Sequence, residues 1–192
     1  SRVTVPVPLP AHVAMCRSLD HPNDKLVETI LAAEAARRNG ARSISLIAPY
    51  LCYMRQDVAF HPGEAVSQQI VGGWLAERFD AVVTVDPHLH RVATLAEAVP
   101  AATAVALSAA ALFGAYLQER EPDALLVGPD EESAQWLAAA TRDHRFETAV
   151  CRKRRRGDRE VSIDIPDVAL TGRTVVLVDD MASTGATLAV AA

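Results

Sequence analysis

Short apolar runs recur along this chain, each separated from the next by a stretch of helical periodicity. That alternation constrains the fold more than any other feature. The runs are His12–Cys16, Ser43–Ala48, Ala81–Val85, Thr103–Leu107, Ala124–Val127, Thr148–Cys151 and Thr174–Val178. Between the first two, Asn23 or Asp24 caps a helix running towards Asn39, with Leu26, Val27, Ile30 and Leu31 on one face and Gly40 just past its end. Further helices are expected over Ser67–Phe79, from Ser108 to about Arg120, and over Glu131–Arg142. Continuous apolar strands alternating with helices specify an α/β fold, a mostly parallel sheet with helices on both faces. Such sheets take ligands beyond the carboxyl ends of their strands. Asp86, His88, Asp130, Asp179 and Asp180 all stand at such ends. The two halves share one plan, with a boundary near residues 95 to 102, so domains of 1–98 and 99–192 are expected.

Composition narrows the function classes. Half of the 192 residues are apolar and 22% are charged, as in soluble globular proteins and unlike disordered chains. Lys and Arg number 19 against 24 Asp and Glu, a net charge of −5 that excludes a generally basic nucleic-acid coat. Cys16, Cys52 and Cys151 are scattered and odd in number, which fits neither a disulfide scaffold nor a cysteine zinc site and fits a reducing cytoplasm. The uncharged stretch Ala98–Gln118 is mostly alanine and is interrupted by Pro100, Thr103, Ser108 and Gly114. It reads as a strand, a turn and a helix rather than a membrane span. Trp74, Trp136, Phe113 and the methionines fall where core packing is expected.

The strongest chemical signal is the segment from Val175 to Thr187. Four apolar residues run into Asp179-Asp180, and a small, hydroxyl-rich turn then opens a helix. Backbone N–H groups and the helix dipole suit such a turn to a phosphate monoester. Gly185 lets the backbone approach closely, and Ser183, Thr184 and Thr187 can donate hydroxyl hydrogen bonds. The two carboxylates would repel a phosphate that they faced. They are better placed to accept from sugar hydroxyls or to hold Mg²⁺.

Other segments carry further candidates. Arg55 and Gln56 follow a proline-broken strand end, where a fork-shaped guanidinium suits triphosphate or adenine; the alternative is an ordinary surface loop. His88 can offer a neutral nitrogen to a metal, contact a nucleotide or be structural, and His90 reads as bland. Asp130 stands beside Glu131 and Glu132, where acids also simply favour a helix N-terminus. The run Arg152–Arg156 lacks interleaved aromatics, so base stacking and nucleic-acid binding are not expected. After a strand on the ligand side, this loop can close over a triphosphate.

These segments together resemble a known family. Val178–Thr187 is similar to the phosphoribosyl-diphosphate (PRPP) loop of the phosphoribosyltransferase fold. Pro49-Tyr50-Leu51-Cys52-Tyr53-Met54-Arg55-Gln56-Asp57 resembles the Pro-Tyr-x-x-Tyr-x-Arg-Gln-Asp segment of ribose-phosphate pyrophosphokinases. Asp86-Pro87-His88 and Gly128-Pro129-Asp130 stand where that family carries Asp-x-His and Pro-Asp, and Arg152–Arg155 aligns with its Lys-x-Arg loop.

The resemblance implies two phosphoribosyltransferase-like halves making PRPP and AMP from ATP and ribose 5-phosphate with Mg²⁺. It implies ATP contacts from Arg55, Gln56 and His88, and metal ligation by His88 and Asp130. Ribose 5-phosphate would be bound by Asp179, Asp180, Ser183, Thr184, Gly185, Ala186 and Thr187, and Lys153 and Arg155 would be catalytic. A cytoplasmic homo-oligomer, dimer or hexamer, is also implied. The alternatives are a phosphoribosyltransferase that consumes PRPP and a non-catalytic regulatory homologue.

The sequence departs from the family at three places. Ser183 stands where synthases commonly have Asp, and Val58-Ala59-Phe60-His61 replaces the Lys and Arg that follow Arg-Gln-Asp in many members. The family's Asp-Gly-Glu segment, lent to a neighbouring subunit's adenine pocket, is not found before His12. With no helix cap before Ala192, residues are expected to be missing at one or both ends.

Overall fold

The computed structural model describes residues 2–156, 160–164, 168–181, 185 and 188–189, the side chains of 153–156 and 160–163 excepted. The chain divides into two compact units, Ser1–Leu107 and Ser108–Ala192.

The first unit alternates strand and helix in chain order: β1 (His12–Cys16), α1 (Pro22–Arg38), β2 (Ser43–Ala48), α2 (Ser67–Ala76), β3 (Ala81–Val85), α3 (Leu95–Ala98) and β4 (Thr103–Leu107). Its four strands are all parallel and lie side by side in the order β1-β2-β3-β4. The strand at 103–107, which sequence pattern assigns to the second half, pairs through its whole length with β3 and so belongs here. Alternate residues of β2 and β3 point into one core: Ile44, Leu46 and Ala48, with Val82 and Thr84, are fully buried. Leu26, Ala33 and Ala36 of α1 and Val71 and Leu75 of α2 join that core.

Two details differ from the sequence reading. Val27 and Leu31 are exposed, and Thr29, Ala33 and Ala36 are buried instead, because small side chains let α1 lie close to its neighbours. Trp74 is 47% exposed rather than in the core. The inward face of α2 is marked by Gln68, Val71, Gly72 and Leu75, and a side chain at Gly72 would collide with the backbone of Ala98. Trp74 therefore sits on the opposite side.

At the amino end of the sheet, Asp80 ties three elements together. Its Oδ2 accepts from the Ile44 N–H (2.7 Å) and from Arg37 Nη2 (2.5 Å). The backbone bond and then the guanidinium hold its carboxyl below the ordinary carboxylate range.

The second unit holds α4 (Ala110–Arg120), β5 (Leu125–Gly128), a short 3₁₀ turn (Glu131–Ser133), α5 (Ala134–Thr141), β6 (Glu147–Val150), β7 (Arg152–Arg156), β8 (Glu160–Asp164) and β9 (Val175–Leu177). Strands β6, β5 and β9 form a parallel sheet with β5 central. Every residue of β5 is buried, as a strand covered on both faces requires. On one side Leu126 meets Leu117, Trp136, Leu137 and Ala140; on the other, Leu125 and Val127 meet Ala149 and Cys151. A side chain at Gly114 would collide with the Ala140 carbonyl, so this glycine sets the approach of α4 to α5. The expected closing loop at 152–156 is instead one arm of an antiparallel hairpin, with residue 153 opposite 163 and 155 opposite 161. The alternation Glu160-Val161-Ser162-Ile163-Asp164 is the local reason, since period two is a strand signal.

Among the described residues, no helix is long and apolar enough to cross a membrane. The stretch 98–118 falls into the end of α3, all of β4 and most of α4.

Candidate functional site

In the first unit, two loops leave the carboxyl ends of the adjacent strands β2 and β3. The loop after β2 is held from below by buried Leu51, Cys52 and Met54. Tyr53 between them takes a left-handed φ of 63°, and its hydroxyl donates to Asn23 Oδ1 at 2.5 Å. Such a φ is costly for a non-glycine residue and persists only where the surroundings enforce it. Arg55 is exposed at the loop's crest. Gln56 is half-buried and donates through Nε2 to the Val58 carbonyl (3.0 Å), so its amide is committed locally. Buried Gln68 supports the turn by donating to the Met54 carbonyl at 3.1 Å.

The loop after β3 starts at Asp86, whose φ of 40° turns the chain sharply while its N–H donates to the Leu107 carbonyl. His88 is half-buried and stacks on His90, with ring centroids 3.4 Å apart. His90, which the sequence left without a role, is thus the nearest aromatic neighbour of the expected ligand. Arg91 completes the loop and donates through Nη1 to Asp57 Oδ1 at 2.7 Å. This ion pair joins the two loops across 34 positions of sequence, and only Asp57 stood inside a recognised motif.

In the second unit, the ends of β5 and β9 bring acids together, and Cys151 after β6 lies near one of them. Gly128 ends β5 beneath the Ser133 hydroxyl with no room for a side chain. Asp130 then caps the 3₁₀ turn, its Oδ1 accepting from the Glu132 N–H at 3.2 Å. β9 runs through buried Val178 into Asp179 and Asp180, and Asp179 Oδ1 accepts from the Asp180 N–H at 3.0 Å. Burial pushes the Asp179 carboxyl up to about 6, with the charges of Asp180 and Asp130 adding to the shift and the Asp180 N–H opposing it. Burial, with Asp130 nearby, also raises the Cys151 thiol. A carboxyl so placed binds a proton, a cation or a hydroxyl donor more readily than an isolated surface acid does.

Gly185 has a left-handed φ of 75°, and its carbonyl accepts from the Ala189 N–H at 2.8 Å, the spacing of a first helical turn. The rest of the expected phosphate turn, Ser183, Thr184, Ala186 and Thr187, lies outside the described residues, as do the side chains of Lys153 and Arg155. The structure therefore places Arg55, Gln56 and His88 in the loops of the first unit. Asp130, Asp179, Asp180 and Gly185 lie at strand ends and a helix start in the second.

The chain has relatives among known proteins. Residues 11–77 match the model of the N-terminal domain of ribose phosphate pyrophosphokinase. The chain is 40% identical to the ribose-phosphate pyrophosphokinase of Methanopyrus kandleri, over 99% of this chain and 65% of that protein. It is 33% identical to that of Halobacterium salinarum, over 97% of this chain and again 65% of the relative. The crystal structure of phosphoribosylpyrophosphate synthetase from Mycobacterium smegmatis superposes with a TM-score of 0.75 at 26% identity, covering 94% of this chain and 58% of that one. The chain thus spans just under two thirds of the length of these relatives. Its architecture is the α/β, parallel-sheet type of the phosphoribosyltransferase fold, present in two halves. Within that class, the chain is similar over nearly its whole length to ribose-phosphate pyrophosphokinases.

Proposed function

We propose that the protein transfers the diphosphoryl group of ATP to the anomeric hydroxyl of ribose 5-phosphate, giving PRPP and AMP. The observation that carries this reading is the division of chemistry between two parallel sheets. The Arg- and His-bearing loops of the first unit suit a nucleotide, and the acid-then-glycine strand end of the second suits a sugar phosphate. A phosphoribosyltransferase would need only the latter.

In the reaction, the anomeric oxygen attacks the β-phosphorus in line, the bond between the α,β-bridging oxygen and that phosphorus breaks, AMP departs and the hydroxyl proton is released. Positioning and charge stabilisation carry such a transfer. Asp179 and Asp180 accept hydrogen bonds from the ribose hydroxyls, and the turn of Ser183, Thr184, Gly185, Ala186 and Thr187 holds the 5-phosphate through N–H and hydroxyl donors. Arg55 and Gln56 hold the nucleotide, and Lys153 and Arg155 stabilise charge as it develops on the transferred group.

Mg²⁺ fits this donor set: Asp130, Asp179 and Asp180 offer hard carboxylate oxygens, and burial, with the neighbouring charges adding to it, raises Asp179. His88 and Asp130 serve the metal-bound triphosphate. When bound, the ion neutralises phosphate charge and orients the chain of phosphates. We further assign the protein to the cytoplasm as a homo-oligomer, a dimer or hexamer; the scattered, reduced thiols support the compartment.

The test is AMP release from ATP with and without ribose 5-phosphate. Release that depends on the sugar phosphate supports the reading. Release without it, or PRPP consumption with a nucleobase, overturns it.

A further inference from the structure

We propose that Arg91, held in place by Asp57, is a phosphate-contacting residue for the nucleotide triphosphate, with Asp57 as its positioning residue. This rests on the functional reading above and adds residues that it does not use.

The geometry of the pair is unusual for one that serves only stability. The Asp57 side chain is 2% exposed and the Arg91 side chain 53% exposed. Only one of the five guanidinium N–H groups meets the carboxylate, through Nη1 to Oδ1 at 2.7 Å. Asp57 Oδ2 is buried with no hydrogen-bond partner. A pair selected for stability would close the fork on both oxygens, because an orphaned buried acceptor is costly. Here the buried end is anchored and the other end of the arginine faces outward. An exposed arginine fixed at one nitrogen presents its remaining donors in a defined direction, which lowers the entropy lost when they bind a phosphate. Its place supports the same conclusion: Arg91 stands three residues after His88 and reaches the Arg55-Gln56-Asp57 loop. The pair therefore fixes the two nucleotide-side loops relative to each other and leaves a cation at their mouth.

Three ligands distinguish the sources of phosphate: ATP, ribose 5-phosphate and inorganic phosphate, each titrated calorimetrically into wild type, Arg91→Ala, Arg91→Lys and Asp57→Asn. Arg91→Ala should weaken ATP binding by about tenfold or more, the scale of a charge-assisted contact. Ribose 5-phosphate affinity should stay within about twofold. Arg91→Lys should recover part of the loss, since charge is kept and the fork is not. Asp57→Asn should weaken ATP binding less than Arg91→Ala, and the double variant should be no worse than Arg91→Ala alone, because both changes act through one group.

ATP affinity unchanged in Arg91→Ala overturns the proposal. So do equal losses for ATP and ribose 5-phosphate, or loss of inorganic phosphate binding alone. Thermal unfolding separates misfolding from lost contact: Arg91→Lys that unfolds like wild type yet binds ATP no better than Arg91→Ala counts against a phosphate contact made through the arginine's charge. Wild type that releases no AMP overturns the functional reading itself. Wild type that releases AMP beside a neutral Arg91→Ala overturns only the role given to Arg91.

Discussion

Asp57 and Asp179 are both carboxylates drawn out of water beyond the ends of parallel strands, one in each unit, and their surroundings treat them oppositely. Asp57 meets a guanidinium from the neighbouring loop. Asp179 meets the charges of Asp180 and Asp130 and is pushed up to about 6, chiefly by burial. Asp57 is met by its own chain through one oxygen and keeps the other buried without a partner. An acid buried among acids is completed only by something from outside, and the energy spent in assembling it returns when a cation or hydroxyl arrives. The difference shows two ways in which a strand end is prepared for a ligand: one presents a cation anchored on a buried acid, and the other holds like charges close together.

The largest expected effect tests whether the second unit also carries the rate. Lys153→Ala should lower kcat by at least about 10²-fold with little change in KM, because its charge is needed as charge develops. Steady-state assays decide, and a variant that keeps more than about a third of wild-type kcat ends that role.

Next comes packing, where the two units should behave alike. Gly72→Ala and Gly114→Ala each push a methyl group against a backbone carbonyl, at Ala98 and Ala140. Each should cost roughly 1–3 kcal/mol, seen as a lower melting temperature. A cost at one glycine and none at the other would mean that the shared plan is not a shared packing device.

The paired acids should then diverge. Folded Asp179 holds its proton up to about pH 6, whereas the unfolded chain releases it near the ordinary value of 3.8. Between those values the folded state binds more protons, so stability falls as pH rises through the window and levels off above it. Asp179→Asn should remove that slope and stabilise the protein above pH 6. Asp57→Asn should destabilise it by about 1 kcal/mol, since an exposed partner limits the loss. Urea midpoints across pH 4.5 to 7.5, taken as differences from wild type, would expose a common sign and so break the contrast.

The smallest effect concerns Thr84, whose hydroxyl is buried in β3 without a partner. Thr84→Val should be neutral or up to about 1 kcal/mol stabilising in thermal unfolding. Clear destabilisation would mean that the hydroxyl has a partner after all.

Much of the fold was legible because the parallel strands are mostly apolar runs, with Pro, Asp or Gly at the ends of β2, β3, β5 and β9. β3 and β4 lie over the residues expected, and β5, β6 and β9 shift by about one residue. Helix faces were less legible. Hydropathy favours Val27 and Leu31, yet Thr29, Ala33 and Ala36 turn inward because close approach selects small side chains. The hairpin and α3 were missed although each has a local signal, alternation at 160–164 and a Thr94–Glu97 capping box. The strand at 103–107 went to the wrong half because pairing is nonlocal. For the same reason no spacing rule could join Asp57 to Arg91, whereas Asp179-Asp180 was readable from six consecutive letters.

The three thiols have a practical consequence. Cys52 is buried and its thiol is pushed to about 11 by that burial; Cys151 is buried and raised as well. Cys16, at the end of β1, is exposed. Since the thiolate is the reactive form, alkylating reagents meet a protein with effectively one cysteine. Titration with a chromogenic disulfide should count about one group per folded chain and about three after denaturation. A fluorophore or spin label can therefore be attached at one defined point of the first sheet without altering the sequence.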